Sequence, residues 1–564
     1  MVHEASGDCL VFNGEIYNYR ELRRELEAAG ARFKGGSDTE ILLEALVRFG
    51  LKTFARLSGM YALAWYRARD NQLVLARDPL GIKPLYVAHT DSGLIFASET
   101  RAIIASGLVE PDINPAGVAT MLAYGAVQHP LTVYKGICSF PRASFQVVSP
   151  QTAHPPQQFW TWPDADPGRS LESALEGIKE TVKFAVRDHL VADVPVGIFL
   201  SSGLDSTVIA GLAAQSSSGL RSFTVGFEDQ PDLSEFSAAA ETAARFGLRH
   251  TALPISGTDA LRSMEAWLNA MDQPSIDGMN TFVISEAVRS QEIKVALSGL
   301  GADELFGGYP SFKEVPRMAA LLQNMRWFKG PMMEMAGAML ALPQPESNRE
   351  KLRDMLRSDH SLEALYLHRR RLMSDRFLAQ LGLDRNALGL DSGFMAPTGE
   401  GMIRSNKDAP FWAISQLESH YYQGNTLLRD SDTNSMAHGL ELRVPFLDIR
   451  VVELLASLPD DVRLPAGQGN KPLLREAFAS LLRPNLLNQP KMGFSLPIRR
   501  WMMTTLRERC ETALAHLSEM GLLRRDGIAR VWNAFVQNPE SPMWSRAWAL
   551  VVLGDFMRRQ VAGK

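Results

Sequence analysis

The feature that most constrains the fold is a buried strand that leads through a small polar turn into a helix. Residues 194–200 form an apolar run of the length that a buried strand requires. The turn Ser-Ser-Gly-Leu-Asp-Ser follows at 201–206, and an apolar helical stretch begins at Thr207. Further strand and helix patterns alternate after it, so the sequence predicts an α/β domain with a parallel sheet.

The turn at 201–206 has the composition of an anion-binding loop. Backbone N–H groups and the positive end of the helix dipole converge on such a turn. Gly203 lets the backbone approach a ligand closely, and the serine hydroxyls at 201, 202 and 206 add donors. A carboxylate such as Asp205 is compatible with an anion site if it and the ligand bind the same cation, as happens when Mg²⁺ is bound to phosphate oxygens. We therefore predict a nucleotide site that binds a pyrophosphate; an ordinary turn with a serine or aspartate helix cap is the alternative.

The loop differs from the Walker type, because it has no Gly-x-x-x-x-Gly-Lys-Ser/Thr pattern. Other strands of this domain are expected at 220–227, 249–253 and 292–297. In open α/β sheets, ligands bind at the carboxyl ends of the strands. Small residues follow or end three of the strands, at Ser201, Gly226 and Ser298, which is the layout of one shared nucleotide site.

Composition narrows the class of protein. A chain of 564 residues is too long for one core, and 46% hydrophobic with 22% charged residues is typical of globular proteins. A net charge of −4 without a long Lys/Arg run argues against a nucleic-acid partner. Three widely spaced cysteines predict neither disulfides nor a zinc site, so we expect a cytoplasmic location. The apolar stretch 330–343 is short and contains Glu334, so we expect a buried helix and no membrane partner.

The chain divides at a proline-rich linker, 151–170. Two helices and many short strands before it predict an α+β layered domain over residues 1–150. The helices are expected at 20–30 and 41–49, the second with a cap at Ser37-Asp38-Thr39-Glu40. The second domain, 171–564, begins with a helix and ends in a part with helical periodicity, which we expect to pack around the sheet.

Four segments of the first domain resemble the glutaminase domain of glutamine-hydrolysing asparagine synthetases. They are Phe-Asn-Gly-Glu-Ile-Tyr-Asn at 12–18, Ser-Asp-Thr-Glu at 37–40, Arg-Asp-Pro-Leu-Gly-Ile-Lys-Pro-Leu-Tyr at 77–86 and Phe-Ala-Ser-Glu at 96–99. The resemblance implies an N-terminal-nucleophile fold with αββα layers, in which Asn13 and Gly14 form an oxyanion hole. It also implies that Glu15 and Asp38 hold the α-amine and amide of glutamine. Without the resemblance, Asn13-Gly14 would predict a hairpin turn.

The first domain departs from the family pattern at the nucleophilic cysteine, which the family exposes as its first residue. Only twelve residues precede Asn13, and Met1 corresponds to an internal methionine of the family. We therefore expect an N-terminally truncated chain without the nucleophile segment. Cys9 is not N-terminal and leads into Asn13, so we expect it to be a small buried hydrophobe.

Motifs of the second domain resemble the synthetase half of the same family, an ATP-pyrophosphatase-type fold. They are Ser-Gly-Leu-Gly-Ala-Asp-Glu-Leu-Phe-Gly-Gly-Tyr at 298–309, the run 434–448, Gly-Asn-Lys-Pro-Leu-Leu-Arg at 469–475 and Pro-Lys-Met-Gly-Phe-Ser at 490–495. The implied ATP-binding residues are Leu200, Ser201, Ser202, Gly203, Asp205, Ser206, Val225, Ser298 and Gly299.

The same resemblance assigns charged residues to the reaction. Asp205 and Asp303 would hold Mg²⁺ and pyrophosphate. Lys471 would lie near the α-phosphate, with Lys491 as a weaker candidate; a solvated surface charge is the alternative for either lysine. We expect Arg443 to form an internal ion pair with Glu441, because arginine suits carboxylate binding.

The function that the resemblance implies is ATP-dependent amide synthesis. Aspartate would be adenylated to β-aspartyl-AMP with release of pyrophosphate, and nitrogen from glutamine or ammonia would displace AMP. Leu300 replaces a carboxylate that is common in the family and cannot accept a proton, so an ammonia-dependent enzyme or another carboxylate acceptor is the second hypothesis. A catalytically silent nucleotide-binding paralogue is the third. The expected partners are small molecules, with a possible homodimer.

Overall fold

Two systems of β-sheets divide the chain, one antiparallel and one parallel. A computed structural model describes residues 1–91, 93–150, 152–227, 235–324, 346–396, 409–464, 470–483 and 496–562. The helix expected at 330–343 and the motif that contains Lys491 lie outside the described residues. Among the helices in these ranges, none is both long and apolar enough to cross a membrane.

The N-terminal region contains two antiparallel sheets. Its strands are β1 (Cys9–Ile16), β2 (Gly59–Arg67), β3 (Gln72–Arg77), β4 (Tyr86–Thr90), β5 (Gly93–Ala97), β6 (Ile137–Ser139), β7 (Ser144–Val148) and β8 (Gln157–Gln158). The first sheet has the order β1-β2-β3-β7-β8, and the second has the order β5-β4-β6. The helices are α1 (Tyr19–Ala28), α2 (Asp38–Phe49), α3 (Thr100–Ala105) and α4 (Pro115–Tyr124), with a 3₁₀ turn at Gly50–Arg56.

These elements form four layers, with helices outside and the two sheets inside. Neighbouring residues of a strand point to opposite faces. Leu63 of β2 therefore packs with Leu42 of α2, whereas Ala64 packs with Val87 of the second sheet. Met121 of α4 belongs to the hydrophobic cluster behind the second sheet. The predicted αββα fold is confirmed.

Local interactions explain the element boundaries in this region. Ser37 caps α2, because its hydroxyl oxygen accepts a hydrogen bond from the Glu40 N–H. Asn13 and Gly14 lie inside β1, where Gly14 pairs with Tyr61 of β2, so the hairpin turn is the wrong alternative. Cys9 is half-buried on the same strand, so the expectation of a buried side chain is only partly correct.

The second region is built on a five-stranded sheet. Its strands are β9 (Val196–Phe199), β10 (Arg221–Phe227), β11 (Arg249–Ile255), β12 (Val295–Leu297) and β13 (Glu441–Arg443). The order is β11-β10-β9-β12-β13, and every neighbouring pair is parallel, as predicted. The strand β13 lies between helices of the C-terminal part and pairs with β12.

Helices surround this sheet. They are α5 (Leu171–His189), α6 (Leu204–Ser216), α7 (Phe236–Arg245), α8 (Gly257–Ala270), α9 (Met279–Arg289), α10 (Ala302–Phe306), α11 (Ser311–Asn324), α12 (Glu346–Arg357), α13 (Leu362–Arg370), α14 (Asp375–Gln380), α15 (Pro410–Leu417), α16 (Arg429–Met436), α17 (Ile449–Ala456), α18 (Asp460–Arg463), α19 (Pro472–Ala477), α20 (Ile498–Met503), α21 (Arg507–Glu519), α22 (Arg525–Gln537) and α23 (Met543–Ala562). A π-helical segment, Glu418–Leu428, joins α15 to α16, and 3₁₀ turns cover Pro445–Leu447 and Ala479–Leu481. Val295 and Ala296, adjacent on β12, belong to different hydrophobic clusters, so both faces of the sheet are covered.

Apolar and charged contacts join the two regions. Met60 and Leu80 of the first region share a hydrophobic cluster with Ile198 of β9. Lys83 Nζ lies 2.8 Å from Asp432 Oδ1, and the Lys83 side chain is only 3% exposed. The interface therefore buries an ion pair as well as apolar surface.

Candidate functional site

The serine loop, residues 201–206, lies where the order of the parallel strands reverses. From β9 the chain moves outward to β10 and β11, and it later returns to the opposite side of β9 with β12 and β13. Ligands of open α/β sheets bind at such a switch point, beyond the carboxyl ends of the strands. Asp205 follows β9 and Asp303 follows β12, so the topology brings both carboxylates to one crevice.

Hydrogen bonds within the serine loop fix its conformation. Ser206 Oγ lies 2.8 Å from Ser201 Oγ and accepts from the Ser201 N–H at 3.1 Å. Ser201 Oγ also accepts from the Gly203 N–H at 3.1 Å. The helix α6 begins at Leu204, so the N–H groups of its first turn lie next to the loop. The loop is ordered by its own contacts and has the donors that an anion needs.

Ser202 of the same loop binds a carboxylate that was not predicted from the sequence. Its hydroxyl donates to Glu235 Oε1 at 2.7 Å, and its N–H donates to Glu235 Oε2 at 3.3 Å. Glu235 directly precedes α7. No motif or spacing marks it, because the pairing depends on how the loop after β9 and the start of α7 meet.

Lys471 joins the two aspartates of the crevice. Its Nζ donates to Asp205 Oδ1 at 2.7 Å and to Oδ2 at 2.6 Å, and it lies 2.7 Å from Asp303 Oδ1. The exposed fractions are 7% for the Lys471 side chain, 20% for Asp205 and 16% for Asp303, so the cluster is largely shielded from water. Three residues from separate motifs thus meet at the serine loop, and Lys471 is no solvated surface charge.

Two backbone features let this cluster form. Lys471 has a φ of 52°, a left-handed conformation that is uncommon outside glycine, and it directly precedes α19. Gly308 passes close to the cluster: a Cβ built on it would lie 1.8 Å from Asp303 Oδ1 and 2.5 Å from Lys471 Cε. Only glycine therefore fits at 308, which gives the Gly-Gly-Tyr end of the 298–309 motif a physical reason.

The charge of Lys471 is fixed by its neighbours. Burial lowers the pKa of the ammonium group, but the carboxylates of Asp205 and Asp303 outweigh burial and raise the pKa above its ordinary value. Lys471 is therefore a cation at neutral pH, which suits it to binding phosphate oxygens rather than to accepting a proton.

The two carboxylates also fit Mg²⁺. Asp205 and Asp303 both lie within 2.7 Å of one cationic atom, so their oxygens converge on a single point. Mg²⁺ is usually bound by one or two carboxylates, with substrate phosphates and water completing its shell. Within the described ranges, no group of three or more His, Cys, Asp or Glu side chains is placed to hold a metal ion. A phosphate ligand would supply the remaining oxygens.

The other residues predicted to bind ATP lie at the same edge of the sheet. Leu200 is 2% exposed and directly follows β9, and Val225 lies on β10. Ser298 follows β12, and a Cβ built on Gly299 would lie 2.8 Å from Asp205 Cβ. The loop after β12 therefore touches the serine loop. Leu300 is half-buried beside them and brings no proton acceptor to the crevice.

The glutamine motif of the first region lies along β1. Asn13 Nδ2 donates to Ser98 Oγ at 3.1 Å. Asp38 Oδ2 accepts from the backbone N–H of the last residue of β1 at 3.0 Å. A Cβ built on Gly14, whose φ is 154°, would lie 2.1 Å from a backbone oxygen of β2, so glycine is required there. Strand pairing thus fixes the positions of these predicted residues.

Arg443 connects this motif to the parallel sheet. Its Nη2 lies 3.0 Å from Glu15 Oε2, and its Nε donates to Glu441 Oε1 at 2.7 Å, which confirms the expected pair with Glu441. Its Nη1 donates to the backbone oxygen of His189, the last residue of α5, and to that of Val191, which follows the helix. The Arg443 backbone oxygen accepts from the Ser298 N–H at 2.9 Å. One residue therefore contacts both predicted sites, a link that was not predicted from the sequence.

Glu15 has an unusual pKa as a result of its position. Burial raises its pKa to about 7, although the Arg443 guanidinium opposes this change. Its side chain is 23% exposed.

Two family profiles match the chain. The profile described as asparagine synthase matches residues 177–555, and the profile described as a glutamine amidotransferase domain matches residues 1–160. The chain belongs to the asparagine synthase family. The glutamine amidotransferase profile covers the antiparallel region, and the asparagine synthase profile covers the parallel region.

Several proteins are similar to this asparagine synthase family member over both regions. Asparagine synthetase [glutamine-hydrolyzing] 1 of Bacillus subtilis is 31% identical over 539 residues, which cover 93% of this chain and 81% of the relative. A putative asparagine synthetase [glutamine-hydrolyzing] of Mycobacterium bovis is 32% identical, covering 87% and 75%. The amidase chyE of Penicillium rubens is 27% identical, covering 87% and 77%.

Proposed function

We propose that this chain converts aspartate to asparagine, with ATP cleavage to AMP and pyrophosphate and with glutamine or ammonia as the nitrogen donor. Its family makes it a carbon–nitrogen ligase of the glutamine-hydrolysing asparagine synthetase type. The observation that carries the proposal is the meeting of Lys471, Asp205 and Asp303 beside the serine loop at the switch point of the sheet.

The first proposed step is adenylation. An oxygen of the aspartate β-carboxylate attacks the α-phosphorus, the bond to the bridging oxygen breaks, and β-aspartyl-AMP and pyrophosphate form. The serine loop donates hydrogen bonds to the pyrophosphate, and the Lys471 ammonium binds phosphate oxygens as negative charge develops. Mg²⁺ held by Asp205 and Asp303 would neutralise part of the charge on the leaving group. The donors of the serine loop suit the binding of pyrophosphate, because hydrogen bonds within the loop already hold them in place.

The second proposed step is amide formation. Ammonia attacks the acyl carbon, the carbon–oxygen bond to AMP breaks, and the surplus proton leaves with AMP or water, since Leu300 cannot accept it. The nitrogen is supplied as ammonia or, if the gene product carries the nucleophilic cysteine of the family, by attack of that cysteine on the amide carbon of glutamine, which releases ammonia at the motif of the first region. There, Asn13 and Gly14 donate to the oxyanion, whereas Glu15 and Asp38 hold the substrate's amine and amide groups.

Pyrophosphate release tests this proposal. The purified chain is assayed with MgATP and aspartate, first with ammonium and then with glutamine, and asparagine is quantified by mass spectrometry. Asp205→Asn should lower the rate at least about 100-fold, because it removes one of the two carboxylates that hold the cations. Asp259→Asn is the control, because Asp259 lies near the start of α8 with 52% of its side chain exposed. Full activity of Asp205→Asn would refute the site assignment.

A carboxylate acceptor other than aspartate is the second candidate. Leu300 is an apolar residue beside the predicted cation site, at a position where the family often has a carboxylate, and two similar proteins are named amidases. The same assay is therefore run with a panel of amino-acid, peptide and sugar-acid carboxylates. Release with one of these but not with aspartate selects the second candidate, and no release with any of them favours a silent nucleotide-binding paralogue.

A further inference from the structure

Glu235 lies outside the serine loop and accepts hydrogen bonds from Ser202 of that loop. Both oxygens of its carboxylate are bound by Ser202, one by the hydroxyl at 2.7 Å and one by the N–H at 3.3 Å. Glu235 is half-buried at the start of α7, yet its side chain makes no capping hydrogen bond to that helix. Among the described residues, its side-chain hydrogen bonds are therefore directed at the loop.

A carboxylate and a phosphate need the same partners. Ser202 has one N–H and one hydroxyl proton to donate, and Glu235 accepts from both. A phosphate oxygen can bind Ser202 only after Glu235 leaves, since two anions at one donor pair repel each other. The aspartates of the site differ in this respect, because Lys471 neutralises part of their charge.

We propose that Glu235 is a displaceable internal anion, which occupies Ser202 in the free protein and yields it to the pyrophosphate group of ATP. The inference rests on the proposed nucleotide site. Binding of ATP then includes the release of Glu235, and the return of Glu235 to Ser202 favours dissociation of pyrophosphate after adenylation. Glu235 acts through Ser202 and is a positioning residue.

The test compares pyrophosphate and MgATP binding by the full chain and its variants, using isothermal titration calorimetry. Glu235→Gln and Glu235→Ala should each lower the Kd for magnesium pyrophosphate about tenfold, because the competing charge-assisted hydrogen bonds are lost. Pyrophosphate should also inhibit adenylation at correspondingly lower concentration.

Glu241→Gln is the matched control. Glu241 lies on the same helix, six residues or about 9 Å further along its axis, and 61% of its side chain is exposed. This variant removes the same charge without a contact to Ser202, so its Kd should stay within about twofold of wild type.

A lower Kd, an unchanged Kd, a higher Kd and the absence of binding each lead to a different conclusion about Glu235. Tighter binding by both Glu235 variants, or binding that appears only in them, supports displacement. An unchanged Kd overturns the displaceable anion alone. A higher Kd also overturns it, because Glu235 would then brace the loop for phosphate. If wild type and both variants unfold cooperatively but bind neither ligand, the displaceable anion and the proposed nucleotide site are both overturned.

Discussion

The two regions of this asparagine synthase family member position their predicted sites in different ways. In the parallel region, Asp205, Asp303 and Lys471 come from three distant motifs and meet within hydrogen-bonding distance. In the antiparallel region, residues 13–15 are neighbours on one strand, and their partners lie on other elements. The ends of parallel strands collect distant residues at one edge, whereas an antiparallel strand presents consecutive residues to its surroundings.

The two predicted sites differ in the charged contacts that hold them. The contacts that hold Lys471 are made within the parallel region, whereas Glu15 takes a guanidinium from Arg443 of the other region. The glutamine motif therefore needs the parallel region for its geometry. Four substitutions test this contrast, and the largest effect is expected where charges converge.

Lys471→Met should break the site of the parallel region. It removes the cation between two carboxylates and the charge that would bind the phosphates, so pyrophosphate release should fall about 1000-fold. The rate is measured with saturating MgATP and aspartate. Lys179→Met is the control, since 46% of the Lys179 side chain is exposed on α5. A rate within tenfold of wild type would contradict the assigned role of Lys471.

Arg443→Met should show how strongly the regions are coupled. It leaves Glu15 and Glu441 without the buried guanidinium, whose side chain is 3% exposed, and should lower the free energy of unfolding by about 4 kcal/mol. Urea titration measures this change. Arg530→Met, at an exposed ion pair with 54% exposure, should change it by less than about 1 kcal/mol. Similar losses in the two variants would show that the bridge adds nothing specific.

Gly14→Ala should separate strand pairing from the site chemistry. The added methyl carbon would lie 2.1 Å from the Met60 backbone oxygen, so β1 must move away from β2 at a loss of about 3 kcal/mol. Gly36→Ala is the matched control, because no atom lies within 4 Å of the position that its methyl carbon would take. The free energy of unfolding is measured for both. An equally stable Gly14→Ala variant would refute the observed register of β1 on β2.

Glu15→Gln should reveal the pH dependence of the bridge. The pKa of Glu15 is raised from 4.5 to about 7, so between these values the folded chain binds the proton more tightly than the unfolded chain. This contribution to stability is present at low pH and declines as pH rises through that window. The stability of Glu15→Gln relative to wild type should therefore increase by about 2 kcal/mol from pH 5 to pH 8.

Thermal or urea unfolding at both pH values measures this difference. Glu27→Gln on α1 is the control, because it makes the same change at a side chain that is 45% exposed. A difference for Glu15→Gln that falls with pH would contradict the raised pKa.

Much of the fold and part of the site could be predicted from the sequence, because the decisive signals are local. The serine loop follows a continuous apolar run, and Lys471 lies in a contiguous motif that resembles the family. The strand β13 could not be predicted, since its three residues have too little length for a periodic pattern. These three residues form a strand because they pair with β12 on the side that faces away from β9.

Contacts between distant residues could not be predicted either. The bonds from Ser202 to Glu235 and from Arg443 to Glu15 depend on how loops and regions meet in three dimensions. A single glutamate in a polar stretch has the same sequence signal whether it faces water or a loop donor. The half-buried state of Cys9 was missed for a similar reason, since exposure at one position of a strand depends on what covers it.

The buried ion pair between Lys83 and Asp432 sets a rule for chimeras within the family. Grafting the N-terminal region of a relative onto this synthase region would lose both ion pairs if the relative lacks a lysine at the position of Lys83 and a glutamate at the position of Glu15. The smallest exchangeable unit is therefore defined by paired charges across the interface rather than by the predicted linker.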